Sequence, residues 1–347
     1  MSNESSSSSS GGFFRGCLMV GGVLFFLGLA GFIVLLIFVA VFASSIGGDA
    51  AAALADSADY KTEFVSGNPK ALNKIAVIDV KGTITSDAES FGTSVANSGD
   101  IVKLIRAAVK DDSVKAIIID LDTPGGEVTA SDEIYHELKL CEKPVVAMMN
   151  TLAASGGYYV ACGANRIVAN RNTLTGSIGV IISSVNVSEL LEWAKVKPEF
   201  YTSGKMKTML NPAKPTTEEE EKVIKTLVMD VYSDFAGIVS EARNIPLEKI
   251  TNGDLGDGRV FDGKQALENG LVDELGYFST AEDAALKLAG LTRDDCRIER
   301  FKSNASLADL LGLFGVKSQP VTFNSLLSGT NVVLPKAGCP YYLYTGF

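Results

Sequence analysis

Histidine is almost absent: His136 is the only one in 347 residues. Its setting, Asp132-Glu133-Ile134-Tyr135-His136-Glu137, reads as the charged face of a helix, so a solvated role is expected and a Ser/His/Asp triad has no imidazole to use. Cysteines are few and scattered. Cys17 falls in an apolar run, and Cys141, Cys162, Cys296 and Cys339 have the spacing of neither a metal site nor a disulfide framework. With one histidine and no paired Cys, a zinc centre is not expected, and no cofactor is called for. Basic runs are missing as well. A net charge of −10 and a pI near 4.8 leave no surface suited to nucleic acid.

Charge is missing altogether between Gly16 and Ala43, where Leu24-Phe25-Phe26-Leu27 and Ile33 to Val39 make the chain apolar on every helical face. One transmembrane helix is expected over 16–43, longer than a secretory signal core and therefore read as an uncleaved anchor. Arg15 precedes the span, and the first charges after it are Asp49 and Asp56. The positive-inside rule then places the N-terminus in the cytoplasm and the rest outside. Residues 1–15 form a serine-rich tail too polar to build a core, and 44–73 read as a loose tether. A domain over 74–298 and an extension over 299–347 complete the organisation.

Within the domain, Ile75–Val80 and the β-branched run Ala116–Leu121 read as strands, the second buried on both faces. Ile101–Val109 has helical spacing with Asp100 available as cap, and Glu127–Leu140 reads as a second helix. Pro144–Met149, Arg166–Ala169 and Val180–Ser183 are further expected strands. Thr217-Glu218-Glu219-Glu220 is a capping box opening a helix to about Ala242, with Val223, Leu227, Val231, Phe235 and Val239 on its apolar stripe. Strands alternating with helices predict an α/β domain with parallel strands and right-handed crossovers.

Two expected strands end in glycine pairs, Gly125-Gly126 and Gly156-Gly157. Loops after parallel strands are where α/β proteins place their sites, and two backbone N–H groups aimed at one oxygen are what acyl transfer requires. The N–H groups of Gly126 and Gly156 are the candidate oxyanion donors. Ser155, between strand and helix, is the candidate nucleophile. With the one histidine read as solvated, the serine can instead be activated by a neutral lysine, which requires a pKa about 3 units, or roughly 4 kcal/mol, below the ordinary value. Lys205 and Lys207 stand among apolar neighbours in Glu199–Met209. In a strand both would share a face, so the pattern leaves them equal.

These stretches resemble the signal peptide peptidase A family of membrane-anchored serine peptidases. The resemblance is carried by Asp122-Thr123-Pro124-Gly125-Gly126, Ala153-Ala154-Ser155-Gly156-Gly157-Tyr158-Tyr159, Thr175-Gly176-Ser177-Ile178-Gly179-Val180, and Gly258-Arg259-Val260-Phe261-Asp262-Gly263 through Gly270–Gly276. It implies a Clp protease/crotonase-like domain, a Ser155 nucleophile and Lys207, three positions after a Ser-Gly pair, as base. It also implies that Ser177 supports the lysine, that subunits form a ring, and that the substrates are apolar peptides such as signal-peptide remnants. A single copy of the motifs is similar to the short form of the family. A crotonase-like acyl-CoA enzyme and an inactive membrane-anchored scaffold are the alternative readings. The region Leu307–Phe314 reads as a short helix. The aromatic end Tyr341–Phe347 is open to packing on its own domain, on a neighbouring subunit, or in a substrate groove.

Overall fold

The computed structural model describes residues 60–86, 94–303 and 340–343. The expected tail, transmembrane helix and Leu307–Phe314 helix lie outside them. Among the described residues, no helix is long and apolar enough to cross a membrane.

The chain begins with strands β1 (Tyr60–Gly67), β2 (Asn73–Lys81), β3 (Thr83–Thr85) and β4 (Val95–Asn97), then helix α1 (Ser98–Lys110). Next come β5 (Val114–Thr123), β6 (Gly125–Glu127), α2 (Val128–Leu140), β7 (Val145–Ala154), α3 (Gly156–Ala161), β8 (Arg166–Ala169) and β9 (Leu174–Gly176). Helices α4 (Ser188–Trp193), α5 (Glu218–Arg243) and α6 (Leu247–Thr251) follow, then β10 (Val260–Phe261), α7 (Gly263–Glu268), β11 (Glu274–Leu275), α8 (Phe278–Ala289), β12 (Cys296–Ser303) and β13 (Tyr341–Leu343).

The main sheet runs β1-β12-β2-β5-β7-β8-β11, parallel except for the edge pair β1–β12. It is covered on both faces, which is why its central strands carry unbroken apolar runs. Alternate residues sort the two sides: Ala76, Ile78, Ile117 and Ile119 pack with α1, α2, α3 and α5, while Ile75, Val77, Ala116 and Ile118 pack with α8. A smaller sheet, β13-β6-β3-β4, stands at the carboxyl ends of β2 and β5.

Several expectations change. The cap of α1 is Asn97, whose side chain accepts from the Asp100 N–H at 3.0 Å, so the helix starts earlier than the apolar spacing indicated. Val180–Ser183 is not a strand; Ile181 makes one bridge, to Tyr341. The expected tether contains β1, whose Tyr60 ring stacks on Phe301 at 4.6 Å. Lys61, Thr62 and Glu63 are exposed and polar, so only pairing with distant β12 reveals it. The Thr217 capping box forms as expected, but its helix buries Phe235 and Val239 and leaves Leu227 48% exposed.

The turn between α1 and β5 carries a pH dependence. Burial pushes the Asp111 carboxyl up, but hydrogen bonds from Ser113 and Lys74 outweigh it and bring the pKa from 3.8 down to about 2. A depressed folded-state pKa contributes stability above the unfolded value that is lost as pH falls from about 4 through about 2. Urea melts at pH 5 and pH 2 are expected to show wild type losing about 2 kcal/mol more than Asp111→Asn across that range.

Candidate active site

β5 and β7 are parallel neighbours, with Thr123 opposite Ala153, so the turns that follow them emerge side by side. Thr123 is fully buried and its Oγ1 accepts the Gly125 N–H at 3.0 Å, fixing the first turn. Ser155 closes the second. It sits at φ 54°, ψ −115°, a strained conformation for a residue with a Cβ, costing about 1–3 kcal/mol. Its N–H donates to the Gly176 carbonyl at 2.8 Å and its carbonyl accepts from the Tyr159 N–H at 2.9 Å. The main chain is therefore pinned at both sides of the strained residue, while its hydroxyl makes no hydrogen bond among the described residues. A buried hydroxyl held on a strained strand-to-helix turn is the arrangement of an activated nucleophile.

The glycine pairs meet at this point. A Cβ at Gly125 would stand 2.5 Å from the Gly156 nitrogen, and one at Gly156 would stand 3.1 Å from the Gly126 nitrogen. Both donors thus border one small space that side chains at either glycine would fill. A Cβ at Gly126 would itself lie 1.9 Å from the Ile84 carbonyl oxygen, which makes that position intolerant of any side chain. Under Gly156 lies Ser131, fully buried, whose Oγ donates to the Glu127 carbonyl at 2.9 Å. Ser131 was invisible as a site residue because a helix-face serine carries no pattern.

The space is occupied by the chain itself. β13 pairs antiparallel with β6, Tyr342 opposite Gly126, and on its other side Tyr341 exchanges hydrogen bonds of 3.0 and 3.1 Å with Ile181. The Tyr342 carbonyl oxygen falls 2.1 Å from a Cβ at Gly125 and 3.1 Å from one at Gly156. Of the three readings of the aromatic end, residues 341–343 therefore pack on their own domain and lie against the glycine pairs; Tyr344–Phe347 are outside the described residues.

Ser177 follows β9 at φ 50°, 7% exposed, its N–H donating to the Arg259 carbonyl at 2.8 Å. This ties it to the Gly258-Arg259 motif, while β10 pairs with β9 beside it. The two lysines do not lie on a strand. Lys205–Thr208 is a 3-10 turn, in which residues two apart diverge by about 240°, so the shared face expected for them is lost. Lys205 Nζ pairs with Glu219 Oε1 at 2.6 Å. Lys207 is exposed, and its amine has no hydrogen-bond or ion-pair partner among the described residues, Ser155 included. His136 is exposed on α2, as expected.

Neighbouring groups are kept out of the chemistry. Burial pushes the Cys162 thiol, at the end of α3, up to about 12, so it stays protonated and unreactive at neutral pH. Cys141, Cys162 and Cys296 are unpaired thiols. Among the described residues there is no cluster suited to a metal ion. The tyrosines after Ser-Gly-Gly are structural in two ways: Tyr158 OH donates to the Leu271 carbonyl at 2.8 Å, and Tyr159 OH donates to Asp132 Oδ1 at 2.7 Å.

Comparison with known proteins identifies the family. The model of peptidase family S49 matches residues 137–292. A protein of Enterococcus faecium assigned as signal peptide peptidase SppA is 37% identical over 238 residues, covering 67% of this chain and 68% of that one. A Synechocystis protein assigned as a protease is 37% identical over 279 residues, 78% of this chain and 96% of its own length. The chloroplastic serine protease SPPA of Arabidopsis thaliana is 33% identical over 264 residues, 74% of this chain and 38% of that one. Among solved structures, a ClpP1 variant from Listeria monocytogenes aligns over 59% of this chain and 93% of its own at 15% identity, with a TM-score of 0.41. The chain belongs to peptidase family S49 and is a serine peptidase.

Proposed function

We propose that this chain is a membrane-anchored endopeptidase, its catalytic domain outside the cytoplasmic membrane, that cleaves apolar peptides, signal-peptide remnants among them, through a Ser155/Lys207 dyad. The observation that carries it is the pairing of a strained, buried Ser155 with two glycine N–H groups around a space already holding an extended backbone. In this reading Ser155 Oγ attacks the scissile carbonyl, neutral Lys207 accepts its proton and passes it to the leaving amine, and Gly126 and Gly156 donate to the oxyanion. Water then enters by the same base and releases the acyl group. Ser177 orients the lysine amine.

Lys207 is supplied by a neighbouring copy. The segment around it supports this: no residue from Ser183 to Glu219 is buried, and Val185, Leu190, Trp193 and Tyr201 are exposed, Trp193 by 81%. Apolar side chains in that number fit packing against another copy of the chain better than solvent. The expected anchor at 16–43 and a ring of subunits in a Clp-like arrangement belong to the same proposal.

Treatment of the full-length chain with a fluorophosphonate probe, followed by peptide mass mapping, is expected to place the adduct on Ser155. Labelling at any other serine, or none in an assembled sample, would sink the reading.

A further inference from the structure

The strand that carries Ser155 runs two residues longer than its neighbour β5 at one point, and side chains hold the excess. The pairing of β5 with β7 keeps strict register from Ile117 opposite Val145 to Leu121 opposite Met149, then resumes with Thr123 opposite Ala153. Asn150, Thr151 and Leu152 therefore bulge against Asp122 alone. A strict ladder would set Gly125 beside Ala153 and leave Ser155 two residues, roughly 7 Å, beyond that point. The bulge takes up this length and brings Ser155 and Gly156 level with Gly125 and Gly126, where the glycine pairs meet. Main-chain groups that a bulge takes out of the ladder need other partners. The Leu152 N–H donates to Asp122 Oδ1 at 3.2 Å. The buried Thr173 hydroxyl donates to the carbonyls of Met149, at 3.1 Å, and Asn150. The Asn150 amide donates to Asp120, which Lys81 and Arg300 hold at 3.1 and 3.3 Å. Past the bulge, Thr175 Oγ1 donates to the Ala153 carbonyl at 2.7 Å, shortly before the nucleophile.

We propose that Asp122 and Thr173 are positioning residues of the reaction: they clamp the β7 bulge and so set the reach of Ser155 toward the oxyanion donors. The proposal rests on the reading of Ser155 as nucleophile given above. Both side chains act on the main chain upstream of Ser155 rather than on its hydroxyl. A bulge free to slip or flatten moves that hydroxyl along β7, while the pairing of residues 117–121 keeps the core of the sheet in place. A reacting atom misplaced by about 1 Å costs on the order of 10²-fold in rate, so a loosened bulge acts on the chemical step and leaves substrate binding nearly as it was. The two contacts can be removed or kept separately. Asp122→Asn keeps an oxygen for the Leu152 N–H and Thr173→Ser keeps a hydroxyl, whereas Asp122→Ala and Thr173→Val lose them.

The test compares wild type with these four variants in the full-length chain in detergent, by the rate at which a fluorophosphonate probe labels Ser155, by kcat and KM for one apolar peptide, and by melting temperature. Asp122→Ala is expected to slow labelling and kcat about 30-fold and Thr173→Val about tenfold, with KM within about twofold of wild type. Asp122→Asn and Thr173→Ser are expected to stay within about threefold of wild type. All rates are taken well below the lowest melting temperature, where a role in stability alone would leave kcat per labelled site unchanged. Thr173→Val nearly preserves the shape of the side chain, so it carries the test if Asp122→Ala does not fold. A wild-type labelling rate in either folded loss variant, a raised KM with kcat unchanged, or equal losses in the two conservative variants would overturn the positioning role and leave the peptidase reading standing. A wild type that leaves Ser155 unlabelled would remove the nucleophile reading and this proposal with it.

Discussion

Ser155→Ala is expected to lower kcat for apolar peptides on the order of 10⁴-fold or more, with the fold unchanged. The size follows from the role: the hydroxyl is the atom that forms the acyl bond, and what remains is the modest acceleration that oxyanion donors and binding give to direct attack by water. The unchanged fold follows from the structure. The Ser155 hydroxyl makes no hydrogen bond among the described residues, so its removal orphans no partner. Alanine also inherits the same φ of 54°, held by the Gly176 and Tyr159 bonds to the main chain. A melting temperature within a degree or two of wild type, measured beside the lost activity, separates chemistry from unfolding; an active Ser155→Ala chain rules out acyl transfer through this residue.

Lys207→Ala is expected to cost about 10³- to 10⁴-fold in kcat, the range of a general base whose loss leaves the nucleophile protonated. Stability should again stay within about 0.5 kcal/mol, because the side chain is exposed and has no partner among the described residues. Lys205→Ala provides the contrast. It breaks an exposed pair with Glu219 that contributes little and stands outside the proton path, so activity should persist. The inter-subunit arrangement gives a sharper outcome still. Ser155→Ala chains keep the amine and Lys207→Ala chains keep the hydroxyl, so co-assembling equal amounts of the two inactive forms should restore about a quarter of the sites if partners mix at random. Recovery at that level requires the two groups to meet across a boundary between chains.

The local rules read the centre of the domain well. Ala116–Leu121 and Pro144–Met149 are strands because runs of branched apolar residues suit a sheet covered on both sides, and Thr217 with Glu220 announces its helix by reciprocal capping. The meeting of Gly125-Gly126 with Gly156-Gly157 was legible too, since glycine pairs after neighbouring parallel strands leave few other uses. Other features depend on contacts far along the chain. β1 looks like a tether until β12, more than 200 residues later, pairs with it. The ring cluster of Tyr135, Tyr159, Phe235 and Tyr342 joins α2, α3, α5 and the chain end, and each of its members reads singly as ordinary core. The lysine segment misled for a different reason: its short apolar stretch fits a strand as well as a tight turn, and only the backbone shows the Lys205–Thr208 turn that parts the two amines. Lys207 itself was distinguished from Lys205 by resemblance alone; Lys205 pairs at the surface with Glu219.

The most direct test of the dyad is the rate at which a fluorophosphonate probe acylates Ser155 in the assembled full-length chain, measured with and without the amine at position 207. Labelling needs the serine to lose its proton but needs no peptide, so it reads the base separately from substrate binding. Wild type should label on Ser155 at least about 100-fold faster than Lys207→Ala, with Lys205→Ala at the wild-type rate. Equal rates in wild type and Lys207→Ala would show that some other group activates the serine.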